Sequence, residues 1–146
     1  MSRELRTEIL IDAEPDRVWD ILTDKDAMGE WNPFIKEMSG ELRKGERLRV
    51  LLKQPNRKAM AIKPKVLEAS PGKELRWIGH MGVPGLFDGE HIFELHPAGP
   101  NGTRFVQREQ FGGLLIPMLW KMLETDTREG FEAMNMALKE RAEAAA

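Results

Sequence analysis

The sequence predicts an α+β fold in which a curved seven-stranded antiparallel sheet wraps around one long C-terminal helix. Three observations support this fold: an alternating strand near the N-terminus, six strand-like segments between turn clusters, and a long helical segment at the end. So wide a sheet must cover its apolar face, and only one long helix is present to do so. We therefore expect the sheet to curve around that helix and to leave an internal cavity.

The N-terminal region predicts one strand followed by two short helices. Residues 5–12 alternate between apolar and polar side chains, as in a half-buried strand. Pro15 suits the first turn of a helix, because its missing N–H would be unpaired there. A second short helix over 26–30 must end before Asn32-Pro33, since the residue before a proline avoids the helical region.

The central region predicts an antiparallel meander, because short β-type segments alternate with turn residues. Pro64 lies inside the third segment and predicts an edge or a bulge there. Gly112-Gly113 ends the last strand, and a helix is expected from Leu114 or Pro117 to about Ala145. The predicted strands cover residues 34–40, 46–53, 58–69, 73–80, 87–96 and 103–111.

Composition limits the class of protein. The chain has 146 residues, a net charge of −2 and no cysteine, which predicts a single domain over 1–146 and excludes disulfides, thiol nucleophiles and thiolate metal sites. The longest runs without charged residues, Trp77–Phe87 and Gln110–Trp120, have eleven residues and are too short to span a bilayer. The charged start does not match a signal peptide, so we expect a cytoplasmic protein without stable membrane insertion.

Alternation predicts which polar groups face the interior. Phe93 and Phe105 mark the inward faces of the strands over 87–96 and 103–111, which carry His91, Gln107 and Glu109 on the same faces. One register pairs His91 with Gln107, and a shift of two residues pairs it with Glu109. A buried His91–Glu109 pair could perform general acid–base chemistry or could be purely structural. His80 and His96 have the opposite parity and are expected in solvent.

The long helix predicts the other side of the cavity. Its inward stripe carries small or polar residues midway, at Asp126, Thr127 and Gly130, which would leave space beneath the sheet. Met118 and Met122 are flexible side chains suited to apolar ligands, and Trp31 could stack on a flat one. The full set of predicted cavity residues is Trp31, Phe34, Trp77, His91, Phe93, Phe105, Gln107, Glu109, Phe111, Met118, Met122, Asp126, Thr127 and Gly130.

A basic stretch covers residues 43–65, with nine basic side chains and one acid. Arg47, Arg49 and Lys53 alternate against apolar residues, which predicts a solvated outer face of the sheet. Docking to an acidic partner stays open, but no aromatic residue accompanies the charges, so we expect no nucleic-acid binding. One inward histidine and one glutamate are too few to hold a metal ion, and we expect no metal or other cofactor.

Residues 9–24, ILIDAEPDRVWDILTD, resemble the opening strand and helix of the START-like superfamily, also called SRPBCC or polyketide cyclase/dehydrase-like. The resemblance covers nearly the whole chain, in order, and implies a helix-grip architecture with a hydrophobic cavity. The superfamily includes aromatase/cyclases, lipid carriers, plant hormone binders and chaperone activators. The other matching segments are Trp31–Phe34, Glu74–Trp77, His91–Leu95, Gly102–Phe105 and Asp126–Asn135.

These observations lead to three expectations for function. The first is binding of a small hydrophobic molecule, aromatic, polyketide-like or lipid-like, by a monomer or homodimer. The alternative is a polyketide cyclase/dehydrase-type enzyme that uses acid–base residues in the cavity. A chaperone-activator-like interaction module is a second alternative, supported only by the basic stretch.

Overall fold

The computed structural model describes residues 3–144 and has the expected α+β architecture. A helical segment near the C-terminus packs against antiparallel strands. The strands are β1 (Arg3–Ile11), β2 (Ile35–Ser39), β3 (Arg49–Leu52), β4 (Met60–Ile62), β5 (Lys65–Ser70), β6 (Glu74–Met81), β7 (Phe87–Ala98) and β8 (Gly102–Gly112). The helices are α1 (Pro15–Leu22), a 3₁₀ turn (Lys25–Ala27), α2 (Met28–Trp31), α3 (Ile116–Met122), a π-helical turn (Leu123–Thr127) and α4 (Arg128–Glu143).

The described strands form two sheets, with orders β1-β8-β7-β6-β5 and β2-β3-β4. The segment predicted as one strand over 58–69 is divided between β4 and β5, so there are eight strands in residues 3–144 rather than seven. Pro64 lies at the division and has no N–H with which to continue the ladder. The sheets stay connected there, because Leu48 N–H donates to Pro64 O at 2.8 Å and Val66 N–H donates to Glu46 O at 2.8 Å.

Two short helices connect β1 to β2. Helix α1 buries Val18, Trp19 and Leu22, and it packs against α4 and β7. Arg17 Nε donates to the Ala142 carbonyl oxygen at 2.7 Å and ties α1 to the end of α4. After α2, the Asn32 side chain accepts hydrogen bonds from the next two free N–H groups and turns the chain into β2.

The C-terminal helical segment runs over residues 116–143, as expected, but it is not a uniform α-helix. Its π-helical turn, Leu123–Thr127, separates α3 from α4. On α4, the apolar residues Phe131, Met134 and Leu138 are fully buried. No helix within residues 3–144 combines the length and apolar character needed to cross a bilayer.

Candidate functional site

A cavity of about 340 Å³ lies between the sheets and the first half of the helical segment. Its walls come from β3, β4, β6, β7 and β8 on the sheet side and from α3 and the π-helical turn on the other side. Cavities of this size are typical of small-molecule sites. Apolar side chains dominate the wall, among them Phe34, Trp77, Phe111, Leu119, Met122 and Leu123.

Two glycines that face each other in the sheet form part of the cavity wall. Gly79 on β6 pairs with Gly89 on β7, and both lie on the cavity wall. A Cβ atom added at Gly79 would meet only Pro64 Cβ, at 3.9 Å, so nothing fills the space above this position. Gly89 has the same parity as His91 and so lies on the inward face of β7, but its pairing with Gly79 depends on the register of β6 and β7.

His91 and Glu109 meet on the cavity wall. They are opposite each other in the β7–β8 ladder, which is the second of the two registers open from the sequence. His91 Nδ1 lies 3.4 Å from Glu109 Oε1, and the two side chains are 4% and 16% exposed. Gly89 lies under the Glu109 carboxylate, and an added Cβ at this glycine would collide with Glu109 Oε2.

Behind His91 lies a chain of buried polar side chains. His91 Nε2 is 2.9 Å from Gln107 Oε1, and Gln107 Nε2 donates to Asn135 Oδ1 at 2.8 Å. Asn135 Nδ2 donates to Thr7 Oγ1 at 2.9 Å. Asn135 and Thr7 were not among the predicted site residues, although each is a polar residue on an otherwise apolar face of a helix or strand.

Aromatic rings hold the His91 imidazole in place. Its ring stacks on Phe93 with centroids 4.5 Å apart, and Phe131 lies 4.8 Å away on another side. The Trp77 ring is 5.5 Å away. His91 therefore presents one fixed edge to Glu109 and the other to Gln107.

Two further polar atoms in this region are buried and have no hydrogen-bond partner within residues 3–144. They are Thr127 Oγ1, in the π-helical turn, and Gln54 Oε1, in the loop after β3. Both residues lie on the cavity wall. Because buried polar atoms are usually paired, these two are candidate contacts for a polar group on a ligand.

Charged and titratable side chains, among them Arg57, Lys58 and His80, border the cavity. Arg57 Nε lies 3.1 Å from Asp126 Oδ2, which connects the loop after β3 to the π-helical turn. His80 Nδ1 lies 2.6 Å from Asp88 Oδ1, and this hydrogen bond lowers the pKa of the Asp88 carboxyl below its usual value. His80 is exposed, as expected, but it also borders the cavity.

The structure places part of the predicted cavity set on the wall. These residues are Phe34, Trp77, His91, Glu109, Phe111, Met122 and Thr127. The wall also contains Leu52, Met60 and Ile62, which were not among the predicted cavity residues. Arg57 and Lys58, expected on an outer face, border the cavity because they lie in a loop, where strand alternation does not apply.

The other predicted cavity residues lie elsewhere. Phe93, Phe105 and Gln107 face inward but are fully buried in the packed region beyond His91, and they do not line the cavity. Gly130 does not create space either, because its missing side chain admits the Phe34 ring, whose Cδ1 would be 2.9 Å from an added Cβ.

Three further expectations about the cavity wall are corrected. Met118 is 73% exposed, because α3 turns this side chain toward solvent. Asp126 is at the rim, where it pairs with Arg57. Trp31 packs half-buried against the hydrophobic core instead of facing the cavity. Each lies outside the wall, because its position on the helix directs the side chain away from the space.

A metal centre has no support in this region. Within residues 3–144, no cluster of three or more histidine, aspartate or glutamate side chains has a geometry that could hold a metal ion. The buried polar groups on the wall include the His91–Glu109 pair and the two partnerless oxygens.

Antiparallel sheets that enclose a long helix and an apolar cavity define the helix-grip class of protein. The sequence model for the family described as polyketide cyclase/dehydrase and lipid transport matches residues 2–143, so the chain belongs to this family. The superfamily expected from the sequence is thereby confirmed. No curated protein matches the sequence.

Solved structures with the same fold support this assignment. Zhui aromatase/cyclase from Streptomyces sp. R1128 is 15% identical, with a TM-score of 0.79 over 98% of this chain and 94% of that one. A START superfamily protein from Mycobacterium smegmatis is 20% identical, with a TM-score of 0.76 over 96% and 97%. Norcoclaurine synthase from Thalictrum flavum is 15% identical, with a TM-score of 0.75 over 100% and 96%. At these identities the likeness shows the fold alone.

Proposed function

We propose that this protein binds a small apolar molecule, aromatic or lipid-like, in the cavity between the sheets and the helical segment. The observation that carries the proposal is the cavity of about 340 Å³, with mostly apolar walls and one buried polar pair. Such a combination is typical of small-molecule sites, where apolar area supplies affinity and a few polar groups fix orientation. The family description, which includes lipid transport, supports the same class of ligand.

Fluorescence titration with N-phenyl-1-naphthylamine, a neutral apolar probe, tests this proposal. We expect saturable binding to the folded protein, weakened at least about tenfold by Gly79→Leu, which places a side chain of several carbon atoms in the cavity. Gly112→Leu is the matched control, because Gly112 has free space around it, lies on β8 and is outside the cavity wall. Equal binding by both variants and the wild type would show that the probe binds elsewhere.

A second candidate function is acid–base catalysis at the same place, supported by the contact of His91 and Glu109 with each other and with the cavity. A carboxylate–imidazole pair in an apolar site can remove a proton from a carbon next to a carbonyl group and return it. Some proteins with the same fold are aromatase/cyclases, which supports this class of chemistry without identifying the substrate.

Deuterium exchange into 2-tetralone, followed by NMR in D₂O, tests the catalytic candidate. We expect exchange at the carbon next to the carbonyl to be accelerated by the wild type and to fall at least about tenfold in Glu109→Gln. Undiminished exchange in that variant would remove the catalytic candidate. It would leave the binding proposal in place, because the fluorescence titration does not depend on proton transfer.

A further inference from the structure

We infer that a chain of buried hydrogen bonds, from Thr7 to Asn135 to Gln107 to His91, fixes the tautomer of the His91 ring. In that tautomer, the polar end of the cavity accepts a hydrogen bond from a neutral hydroxyl group on the ligand. We call Thr7, Asn135 and Gln107 the relay. The part of the inference that concerns a ligand rests on the proposed function. The part that concerns His91 rests on the geometry of the relay alone.

The relay begins at a main-chain carbonyl group. Thr7 Oγ1 lies 2.8 Å from the Gln107 carbonyl oxygen, which can only accept, so the hydroxyl must donate to it. The same hydroxyl oxygen then accepts from Asn135 Nδ2, at 2.9 Å. This contact fixes the orientation of the Asn135 amide and directs its Oδ1 toward Gln107.

The Gln107 amide is oriented by two acceptors. Its Nε2 lies 2.8 Å from Asn135 Oδ1 and 3.4 Å from the Phe131 carbonyl oxygen. Flipping this amide would bring its oxygen against both acceptors, which is unfavourable for a group that is 0% exposed. Gln107 Oε1 therefore faces His91 Nε2, at 2.9 Å. Because Oε1 only accepts, His91 Nε2 must carry the hydrogen.

This assignment decides what His91 offers to the cavity. A neutral imidazole has one N–H, so the Nδ1 atom has a free lone pair. Nδ1 lies 3.4 Å from Glu109 Oε1, and two acceptors this close repel each other unless a hydrogen lies between them. The carboxylate and the ring nitrogen are both acceptors on the cavity wall, and the group that complements them is a hydrogen-bond donor.

The ligand class follows from this arrangement. A phenolic or enolic hydroxyl on an apolar body donates to the pair, whereas a methyl ether has no hydrogen to donate. A carboxylate would bring another negative acceptor next to Glu109. The aromatic rings of Phe34 and Trp77 on the wall suit the apolar body of such a molecule.

The tautomer is tested without any ligand. Correlation NMR of the imidazole nitrogens can resolve the chain's 3 histidines, and we expect a protonated Nε2 for His91 in the wild type. Gln107→Met removes the acceptor and should shift the hydrogen toward Nδ1. Thr7→Val should act in the same direction but less, because the Phe131 carbonyl still orients Gln107.

Gln110→Met is the matched control, because Gln110 lies on the same strand with an exposed side chain. It should leave the His91 signals unchanged. An unprotonated Nε2 in the wild type, or His91 signals that do not change in Gln107→Met, overturns the inference. If Gln107→Met does not fold, the spectra of the wild type and of Thr7→Val test the tautomer of His91 instead.

The hydroxyl preference is tested with 2-naphthol, 2-methoxynaphthalene and 2-naphthoate. We expect 2-naphthol to bind at least about tenfold more tightly than the other two, since hydrogen bonds to charged groups are strong when buried. His91→Phe should remove the difference and keep the ring stacking. Equal binding of all three overturns the preference but leaves the proposed function intact. If none of the three compounds binds, the proposed function is contradicted as well. The NMR experiment still tests the effect of the relay on His91.

Discussion

The space between the sheets and the helical segment has two unlike halves. In the half beyond His91, Phe93 and Phe105 on the sheet and Phe131 on α4 are fully buried. In the other half, Gly79 and Gly89 face the cavity, and the helix has its π-helical turn. We call these the packed half and the cavity half.

Both halves are built from the same strands and the same helical segment, so the fold by itself does not create the cavity. Between residues 89 and 93 of β7, the inward positions change from glycine at 89 to histidine at 91 and phenylalanine at 93. Side-chain volume therefore rises over this part of the strand, and the polar pair lies where the two halves meet. A helix-grip domain can be filled or open according to a few residues on its inward faces.

The largest effect is expected from Phe93→Ala in the packed half. Deleting a fully buried ring should lower the free energy of unfolding by about 3–5 kcal/mol, because neighbouring side chains cannot fill the space. Phe87→Ala, on the same strand but half-buried at the cavity, is the control and should cost less than about half as much. Urea denaturation measures both, and equal losses would contradict the difference between the halves.

A leucine in place of a glycine should have opposite consequences in the two halves. Gly130→Leu forces a side chain against the Phe34 ring, and overpacking of this kind costs about 1–3 kcal/mol. Gly79→Leu enters the cavity and should change the stability by less than about 1 kcal/mol. Thermal unfolding of both variants measures these two losses of stability. A large loss in Gly79→Leu would mean that this wall has no room.

Protonation of Glu94, on the outer side of β7 in the packed half, should lower the free energy of unfolding at acid pH. Burial by itself raises the pKa of this carboxyl, but hydrogen bonds from His96 and Arg108 outweigh it and hold the pKa below its usual value. A carboxyl with a lowered pKa stabilises the fold above its unfolded value, and the contribution is lost as the pH falls through the folded value. The stability should therefore decline as the pH falls below the ordinary pKa of a glutamate, about 4.3.

Glu94→Gln should weaken that decline, because the variant has no carboxyl to protonate. Unfolding by urea at several pH values between 3 and 6 measures the effect on stability. The same pH dependence in the variant and the wild type would show that other carboxyl groups are responsible. Arg108 Nη2 lies 2.8 Å from Glu94 Oε2, so Arg108→Met is expected to weaken the decline in the same way.

The smallest effect on stability is expected from Gly89→Ala in the cavity half. The added methyl group collides with Glu109 Oε2, which is the flexible end of its side chain and can move at a cost below about 1 kcal/mol. The contact between Glu109 and His91 should nevertheless be lost, with a change in the His91 ring signals by NMR. Gly112→Ala, where nothing is close, should change neither quantity.

Several parts of the site could be predicted from local patterns. Alternation along two strands placed His91, Gln107 and Glu109 on inward faces, because successive side chains of a strand point to opposite sides. The same rule cannot distinguish an inward residue on the cavity wall from one in the packed core, so Phe93 and Phe111 were both predicted as cavity residues. In the structure, Phe111 lines the cavity and Phe93 is packed beyond it.

Sequence by itself determined the order of the elements, the inward faces of the strands and the membership of a helix-grip superfamily, since these depend on short-range periodicity and on matching segments. Tertiary structure decided the β7–β8 register, the pairing of Gly79 with Gly89 and the contact of Gly130 with Phe34. It also joined Thr7 to Asn135, which are 128 residues apart. Contacts over such separations depend on how whole elements pack, and no local pattern contains that information.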